Sequence, residues 1–179
     1  MKLLKNPYVV FPILIGLTIP TVLFIYYLTS KKSLDLSNAV YFTNKPLPKT
    51  ELFNVKTDND CYEQLKQGKI LVIYLTTNCN ACKKEVDLIS TFYSEQTANF
   101  KIYGIALEDK NKVEKYIEQQ NIKFPVLIDK EGQLLNELSV KYFPTKFLIE
   151  NGIISKTVIG SSPNKDKLLQ DFNLGEAGE

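Results

Sequence analysis

The sequence predicts an α/β domain in which helices flank a central mixed sheet. Residues 70–76 form a continuous apolar run, which is typical of a strand buried on both faces of a sheet. Strand and helix patterns then alternate as far as residue 129, and this alternation indicates parallel strands joined by helical crossovers. After Pro144 two strand patterns flank the turn Asn151-Gly152, which predicts an antiparallel hairpin.

The individual elements follow from apolar periodicity and from turn residues. Gly68 is expected to end a short helix, and apolar residues spaced three and four apart predict an amphipathic helix from Cys79 through Phe92. The strands are predicted at 52–55, 70–76, 100–107, 126–129, 146–150 and 153–159. The other helices are predicted at 58–67, 109–120 and 163–172.

The chain divides into five predicted segments. Residues 8–28 carry no charge and are flanked by lysines, and a helix of that length covers roughly 30 Å, the thickness of a bilayer core. We therefore predict one transmembrane helix at 8–28. The other segments are a short N-terminal tail at 1–7, a polar linker at 29–49, the folded domain at 50–174 and a flexible tail at 175–179.

A cleaved signal peptide is the alternative to an uncleaved anchor. Its apolar region is usually shorter, and it ends at a small-x-small cleavage site. Residues 26–30, Tyr-Tyr-Leu-Thr-Ser, offer no such site, which favours the anchor. Lysines flank both ends of the apolar stretch, so the positive-inside rule does not choose an orientation.

The composition excludes several classes of site. The chain has no histidine, and all 22 of its basic side chains are lysines. Ser-His-Asp hydrolases, histidine-ligated zinc or haem and imidazole-ligated copper therefore lack a required group. The net charge of +2 is too small to indicate a nucleic-acid partner. Cysteine is the conspicuous nucleophile that is left.

Two cysteines stand three residues apart in Cys79-Asn80-Ala81-Cys82, directly after the predicted central strand. In the first turn of a helix, unpaired backbone N–H groups favour the thiolate form of Cys79, and Cys82 lies close enough to resolve a mixed disulfide. The alternatives are two buried structural cysteines or half of a metal site. A zinc site would need two more ligands, for which Cys61 and carboxylates are left, so we predict no metal.

The Cys-x-x-Cys motif, Phe124-Pro125, Phe143-Pro144-Thr145 and Asn151-Gly152 occur in the order found in thioredoxin-like proteins. The chain resembles the membrane-anchored TlpA- and ResA-like thiol-disulfide oxidoreductases of bacterial envelopes. The resemblance implies a thioredoxin-like fold in which Cys79 attacks, Cys82 resolves and Pro144 is cis and lies against the disulfide. It implies that the Cys79–Cys82 disulfide is the redox group, with no cofactor. A cis bond would also turn the Phe143 backbone toward the thiols, so that residues 143–145 bind an extended substrate segment.

Four further residues allow two interpretations or depart from the family pattern. The resemblance implies that Glu85 is an acid or base that tunes the thiols, and the alternative is a solvated surface glutamate. Cys61 is either a small buried apolar side chain or a third redox thiol. Ile73 stands where thioredoxins place a buried aspartate, and Asn78 stands where an aromatic residue commonly precedes the first cysteine.

These patterns predict a single-pass protein of the bacterial cell membrane with its redox domain on the extracytoplasmic side, because cytoplasmic thiols are kept reduced by soluble systems. The expected function is to reduce or exchange disulfides of exported proteins, such as apocytochrome c during cytochrome c maturation, with a membrane electron donor restoring the dithiol. One alternative is a peroxiredoxin-like thiol peroxidase, because Thr76 precedes Cys79 by three residues, although the proline and arginine of that active site are absent. Another is a copper or zinc carrier that uses the two thiolates.

Overall fold

A computed structural model describes residues 43–93 and 100–174. The strands within these residues are β1 (Lys45–Pro46), β2 (Phe53–Asn54), β3 (Lys69–Leu75), β4 (Lys101–Ala106), β5 (Val126–Ile128), β6 (Thr145–Glu150) and β7 (Ile153–Ile159). They form one mixed sheet in the order β1-β7-β6-β3-β4-β5-β2. The α-helices are α1 (Asn80–Tyr93), α2 (Lys110–Gln119), α3 (Gln133–Glu137) and α4 (Lys165–Phe172).

Strand β3 lies at the centre of this sheet, as its apolar run predicts. It pairs in parallel with β4 and antiparallel with β6. Strand β4 continues the parallel pairing to β5, and β6 forms the predicted antiparallel hairpin with β7. The predicted mixed sheet is confirmed, and the carboxyl end of β3 leads directly into the Cys79 loop.

The sheet is packed on both faces, and the two faces use alternate residues of β3. Leu71, Ile73 and Leu75 belong to one apolar cluster, to which α1 contributes Cys82, Val86 and Ile89. Ile70, Val72 and Tyr74 belong to the cluster on the other face. Because successive side chains of a strand point to opposite faces, a strand that is apolar throughout is buried on both.

The predicted linker at 29–49 extends too far. Lys45 and Pro46 pair antiparallel with Ile154 and Ile153 of β7, so the folded domain begins before residue 50. Leu47 donates its N–H to the carbonyl of Gly152 and is 5% exposed. Proline is accepted in a strand at a sheet edge, where its missing N–H faces away from the ladder. The two prolines in this short polar stretch are typical of a linker, but they are also compatible with a very short strand at the sheet edge.

The helix predicted at 58–67 is shorter than expected, and one helix was not predicted. A 3-10 helix covers Tyr62–Lys66 alone, because the Asp60 carboxylate accepts the N–H groups of Leu52 and Tyr62 and so directs residues 58–61 into a turn. Helix α3 has five residues, too few to show an apolar period, and it follows Gly132, whose φ is +63°.

The predicted membrane helix at 8–28 and the tails at 1–7 and 175–179 lie outside the described residues. Within residues 43–93 and 100–174, no helix has both the length and the apolar content needed to cross a bilayer.

Candidate active site

Cys79 occupies the N-cap position of α1, in the loop that follows β3. Its carbonyl accepts the N–H of Lys83 at 3.0 Å, and its Sγ accepts the N–H of Cys82 at 3.0 Å. The two sulfurs are joined in a disulfide, with the Cα atoms 5.1 Å apart. Cys79 is half-buried, whereas Cys82 is fully buried in the core cluster. Cys79 is therefore the sulfur that an incoming molecule can reach.

The helix N-terminus provides the electrostatics that the motif predicts. The first N–H groups of a helix have no intrahelical partner and carry partial positive charge, which stabilises an anion at the cap. A Cys79 thiolate formed on reduction would accept the Cys82 N–H at this position, as the sulfur does in the disulfide. This environment favours the nucleophilic form of a cysteine.

The Phe143–Pro144 peptide bond is cis and lies beside the disulfide, as the resemblance implies. The Phe143 carbonyl oxygen is 3.6 Å from the Cys79 Sγ. Thr145 Oγ1 donates to the Tyr142 carbonyl at 2.6 Å, and the Gly160 N–H donates to the Pro144 carbonyl at 2.8 Å. These bonds tie the loop to β6 and β7. Residues 143–145 thus lie at the sulfur, while their binding of substrate stays a prediction.

Glu85 is completely buried, so the alternative of a solvated surface glutamate is wrong. Its Oε1 accepts from the Lys146 Nζ at 2.7 Å, and Lys146 is buried to the same extent. Ser162 donates its backbone N–H to Oε2 and its hydroxyl to Oε1. The carboxylate therefore ties α1 to β6 and to the loop before α4, and its role as an acid or base for the thiols stays a prediction.

Lys146 and Ser162 were not among the predicted site residues. Lys146 pairs with Ile73 across β3 and β6, and its Nζ also lies 2.7 Å from the Ser162 hydroxyl. The sequence carries one signal for Lys146, a lysine in an apolar strand on the same face as Leu148. A charge at such a position needs a buried partner, but nothing local indicates that the partner is Glu85.

A second polar contact lies on the opposite face of the sheet. The Tyr74 hydroxyl donates to Asp129 Oδ2 at 2.6 Å, and the Leu135 N–H donates to the same oxygen at 3.0 Å. The Tyr74 ring packs against that of Phe143, with centroids 5.9 Å apart. Burial raises the pKa of Tyr74, and its hydrogen bond to the Asp129 carboxylate raises it further. The uncharged side chain of Tyr74 thus packs against Phe143 of the cis-proline loop.

We expect Tyr74→Phe to lower the free energy of unfolding at neutral pH by about 1–3 kcal/mol, because Asp129 loses a buried donor. The pKa of Tyr74 is higher in the folded than in the unfolded chain, so its contribution is complete below about pH 10 and is lost as the pH rises further. Urea denaturation between neutral and alkaline pH measures both effects.

The matched control for this prediction is Tyr142→Phe, because Tyr142 is 45% exposed. We expect it to leave the neutral-pH stability within about 0.5 kcal/mol, as for most surface substitutions. An alkaline stability loss as steep in Tyr74→Phe as in the unchanged chain would contradict the assignment to Tyr74.

Cys61 lies away from the disulfide, in the apolar cluster on the opposite face of the sheet from Cys82. It is 3% exposed, and its Sγ donates to the Asn59 carbonyl at 3.5 Å. Burial raises the pKa of the Cys61 thiol, and the nearby Asp60 carboxylate raises it further. The geometry is that of a small buried side chain.

We expect Cys61 to resist alkylation in the folded chain, because the reactive thiolate is disfavoured and shielded. After mild reduction, iodoacetamide should label Cys79 at least about tenfold faster than Cys61. Mass spectrometry of digested samples over time measures the two rates. Labelling of Cys61 as fast as Cys79 would contradict this, and full labelling in urea is the positive control.

The described residues hold no group of three or more histidine, cysteine, aspartate or glutamate side chains arranged to bind a metal ion. Cys79 and Cys82 have each other as covalent partners in this structure.

The comparison with known families agrees with this geometry. A family model described as AhpC/TSA matches residues 43–157. The chain belongs to the AhpC/TSA family. The match includes the Cys79–Cys82 pair and the cis-proline loop, so both features lie within the part that the family shares.

Relatives of this AhpC/TSA chain carry names from one class of protein. It is 32% identical over 101 residues to sporulation thiol-disulfide oxidoreductase A of Bacillus subtilis, covering 53% of this chain and 61% of that protein. It is 33% identical over 104 residues to thiol-disulfide oxidoreductase ResA of Geobacillus thermodenitrificans, covering 56% of this chain and 60% of that protein. The matched part is thus about three fifths of either relative.

A solved structure confirms the thioredoxin-like fold of this AhpC/TSA domain. The crystal structure of StoA from Bacillus subtilis superposes with a TM-score of 0.61 at 26% identity, covering 72% of this chain and 99% of that one. The expected resemblance to ResA-like oxidoreductases is confirmed at the level of family and fold.

Proposed function

We propose that this chain is a thiol-disulfide oxidoreductase that acts on disulfides of other polypeptides through Cys79 and Cys82. The observation that carries the proposal is the Cys79–Cys82 disulfide at the N-terminus of α1, with the Phe143 carbonyl of the cis-proline loop 3.6 Å from the Cys79 Sγ. The names of the two relatives support the same activity.

In the reducing direction, the Cys79 thiolate attacks one sulfur of a substrate disulfide. A Cys79–substrate disulfide forms, and the other substrate sulfur leaves as a thiolate that takes a proton. The Cys82 thiol then loses its proton and attacks the Cys79 Sγ, which restores the Cys79–Cys82 disulfide and releases the second substrate thiolate. Two electrons and two protons pass from the dithiol to the substrate, and no bound cofactor takes part.

The position of the cis-proline loop supports a polypeptide substrate. Phe143 and Pro144 precede β6 and present a backbone carbonyl to the Cys79 sulfur. An extended substrate segment can pair with such a backbone as a short added strand, which aligns its disulfide with the nucleophile. Side chains of the substrate then lie on either side of Cys79.

The cellular setting is part of the same proposal. The uncharged stretch at 8–28 would anchor the chain in the lipid bilayer of a bacterial cell membrane, with the redox domain on the extracytoplasmic side. There the protein would reduce exported proteins, such as apocytochrome c before haem attachment, and a membrane electron donor would recharge the dithiol. The advantage of an anchored reductant outside the cytoplasm supports this setting.

Three measurements test the proposal. The full chain with its dithiol reduced should reduce insulin catalytically when dithiothreitol recharges it, and it should react slowly with hydrogen peroxide in stopped flow. Rapid formation of Cys79 sulfenic acid without insulin reduction would contradict the proposal and indicate a peroxidase.

In intact cells a membrane-impermeant thiol reagent should label the reduced Cys79; labelling that requires cell lysis would overturn the extracytoplasmic location.

A further inference from the structure

A polar pocket lies beside Cys79, on the side of α2. It has a volume of about 410 Å³, within the range of ligand sites in proteins. Its wall is shared by the β3–α1 loop, the first turns of α1 and the end of α2. The side chains that give it its chemistry are those of Thr77, Asn78, Asn80, Lys83, Tyr116 and Gln119, together with Cys79 itself.

Tyr116 in this wall has an unmet hydrogen-bonding requirement. The residue is 6% exposed, and its hydroxyl has no hydrogen-bond partner among the described residues. Burial raises the pKa of Tyr116 to about 12, and the charges of Asp87 and Glu108 contribute. A buried hydroxyl without a partner is unfavourable. The Tyr116 hydroxyl has almost no accessible surface, so a group in the pocket pairs with it only by displacing the side chains in front of it, and that group then gains a bond that the protein does not make internally.

A second buried oxygen atom without a hydrogen-bond partner among the described residues belongs to Glu108, on the same side of the active site. Its Oε1 accepts the Thr77 N–H at 2.7 Å and the Thr77 hydroxyl at 3.0 Å, which fixes the carboxylate behind the wall of the pocket. Its Oε2 is buried and has no hydrogen-bond partner among the residues described. The Lys112 Nζ lies 3.9 Å from Oε1. The Tyr116 hydroxyl therefore lacks an acceptor for its proton, and the Glu108 Oε2 lacks a donor.

Side chains of both positive and negative charge lie around the pocket. Lys83 at the wall disfavours a cationic group, and the carboxylates of Glu108 and Asp87, whose charges act on Tyr116, disfavour an anionic one. The side chains of Asn78, Asn80 and Gln119 are exposed, and their amide groups can both donate to and accept from a polar group that enters the pocket. A neutral group that both donates and accepts hydrogen bonds fits this environment best.

We infer that this pocket binds a neutral polar side chain, a carboxamide or a hydroxyl, next to the substrate cysteine that Cys79 attacks. The inference rests on the proposed disulfide exchange and specifies its substrate class. Substrates with Asn, Gln, Ser or Thr adjacent to the reactive cysteine are preferred, and the Tyr116 hydroxyl recognises that side chain.

The test uses the full reduced chain and two peptides, each closed by one disulfide. The peptides are identical except for Asn or Ala adjacent to one cysteine, and each side of that cysteine is tested in turn. We expect the Asn peptide to be reduced about tenfold faster at low concentration, as one specific hydrogen bond permits. In Tyr116→Phe the ratio of the two rates should fall to near one.

Tyr103→Phe is the matched control, because it removes another buried phenol hydroxyl, one that bonds Gln64 away from the pocket at 3.3 Å. It should keep the tenfold ratio. Equal rates for both peptides with the unchanged chain would overturn the inference, and so would an equal loss with both peptides in Tyr116→Phe. Failure to reduce either peptide, or any other disulfide, would overturn the proposed function itself.

Discussion

Replacement of Cys79 by serine is expected to lower the rate of disulfide exchange by at least about 1000-fold, because the attacking group of a covalent mechanism is lost. A serine hydroxyl is not ionised at neutral pH, and it forms no disulfide with a substrate sulfur. The N-cap position that favours a thiolate at Cys79 does not compensate for this difference. Insulin reduction by the full chain, with dithiothreitol as the recharging reductant, measures the rate.

Cys61→Ala is the matched control for this prediction. Cys61 is a buried thiol on the other face of the sheet from the disulfide, and its replacement should leave exchange within about twofold of the unchanged chain, since an unreactive buried cysteine takes no part. If Cys79→Ser kept a substantial fraction of the rate, or if Cys61→Ala abolished it, Cys79 would not be the nucleophile.

Loss of the Glu85 charge is expected to lower the free energy of unfolding by about 3–5 kcal/mol, the effect of leaving a buried charge unpaired. In Glu85→Gln the Lys146 ammonium stays fully buried and loses its carboxylate. The glutamine carbonyl can still accept the Ser162 N–H, but its NH₂ group then faces the Lys146 ammonium, so the variant removes both the charge and the acceptor of that contact. Urea denaturation of the full chain, followed by circular dichroism, measures the loss.

The double variant Glu85→Gln/Lys146→Met removes both charges and should be less destabilised than Glu85→Gln alone, because no unpaired charge is left in the core. Glu150→Gln is the surface control. The Lys69 Nζ lies 3.5 Å from Glu150 with both side chains partly exposed, and such pairs contribute about 0–1 kcal/mol. A loss in Glu85→Gln no larger than in Glu150→Gln would refute the importance of the buried pair.

The parts of the fold that the sequence predicts well are those with a local pattern. A few consecutive residues are enough to predict the apolar strand β3, the Cys-x-x-Cys motif and the turn Asn151-Gly152. The structure places all three as expected. The cis bond at Pro144 has no local signature of this kind. It was predicted because the order of motifs resembles a known family.

The parts that were missed depend on contacts distant in the sequence. Glu85 and Lys146 are 61 residues apart, and Tyr74 and Asp129 are 55 residues apart. Glu85 and Asp129, taken alone, are compatible with a surface or strand-end position. The apolar strands around Tyr74 and Lys146 indicate burial, but they do not indicate which residue each one contacts. The first contact is decided by the register of β3 against β6 and by the packing of α1 on the sheet. The second is decided by the register of β3, β4 and β5. A single sequence specifies neither.

The site illustrates the same division. Thioredoxins place a buried aspartate at the position of Ile73, so the sequence predicts no buried charge in the core beside the disulfide. The structure supplies charge at the neighbouring strand instead, because Lys146 stands opposite Ile73 and reaches Glu85. A buried ion pair is therefore present near the motif, and the sequence around either residue alone does not predict it.

The most direct test of the central claim is to trap the intermediate on Cys82→Ala. With the resolving sulfur removed, attack on a peptide disulfide should stop at a mixed disulfide, because no neighbouring thiolate releases the peptide. Mass spectrometry of the digested full chain should find the peptide joined to Cys79. A peptide joined to Cys61, or no mixed disulfide with a peptide that the unchanged chain reduces, would contradict the mechanism.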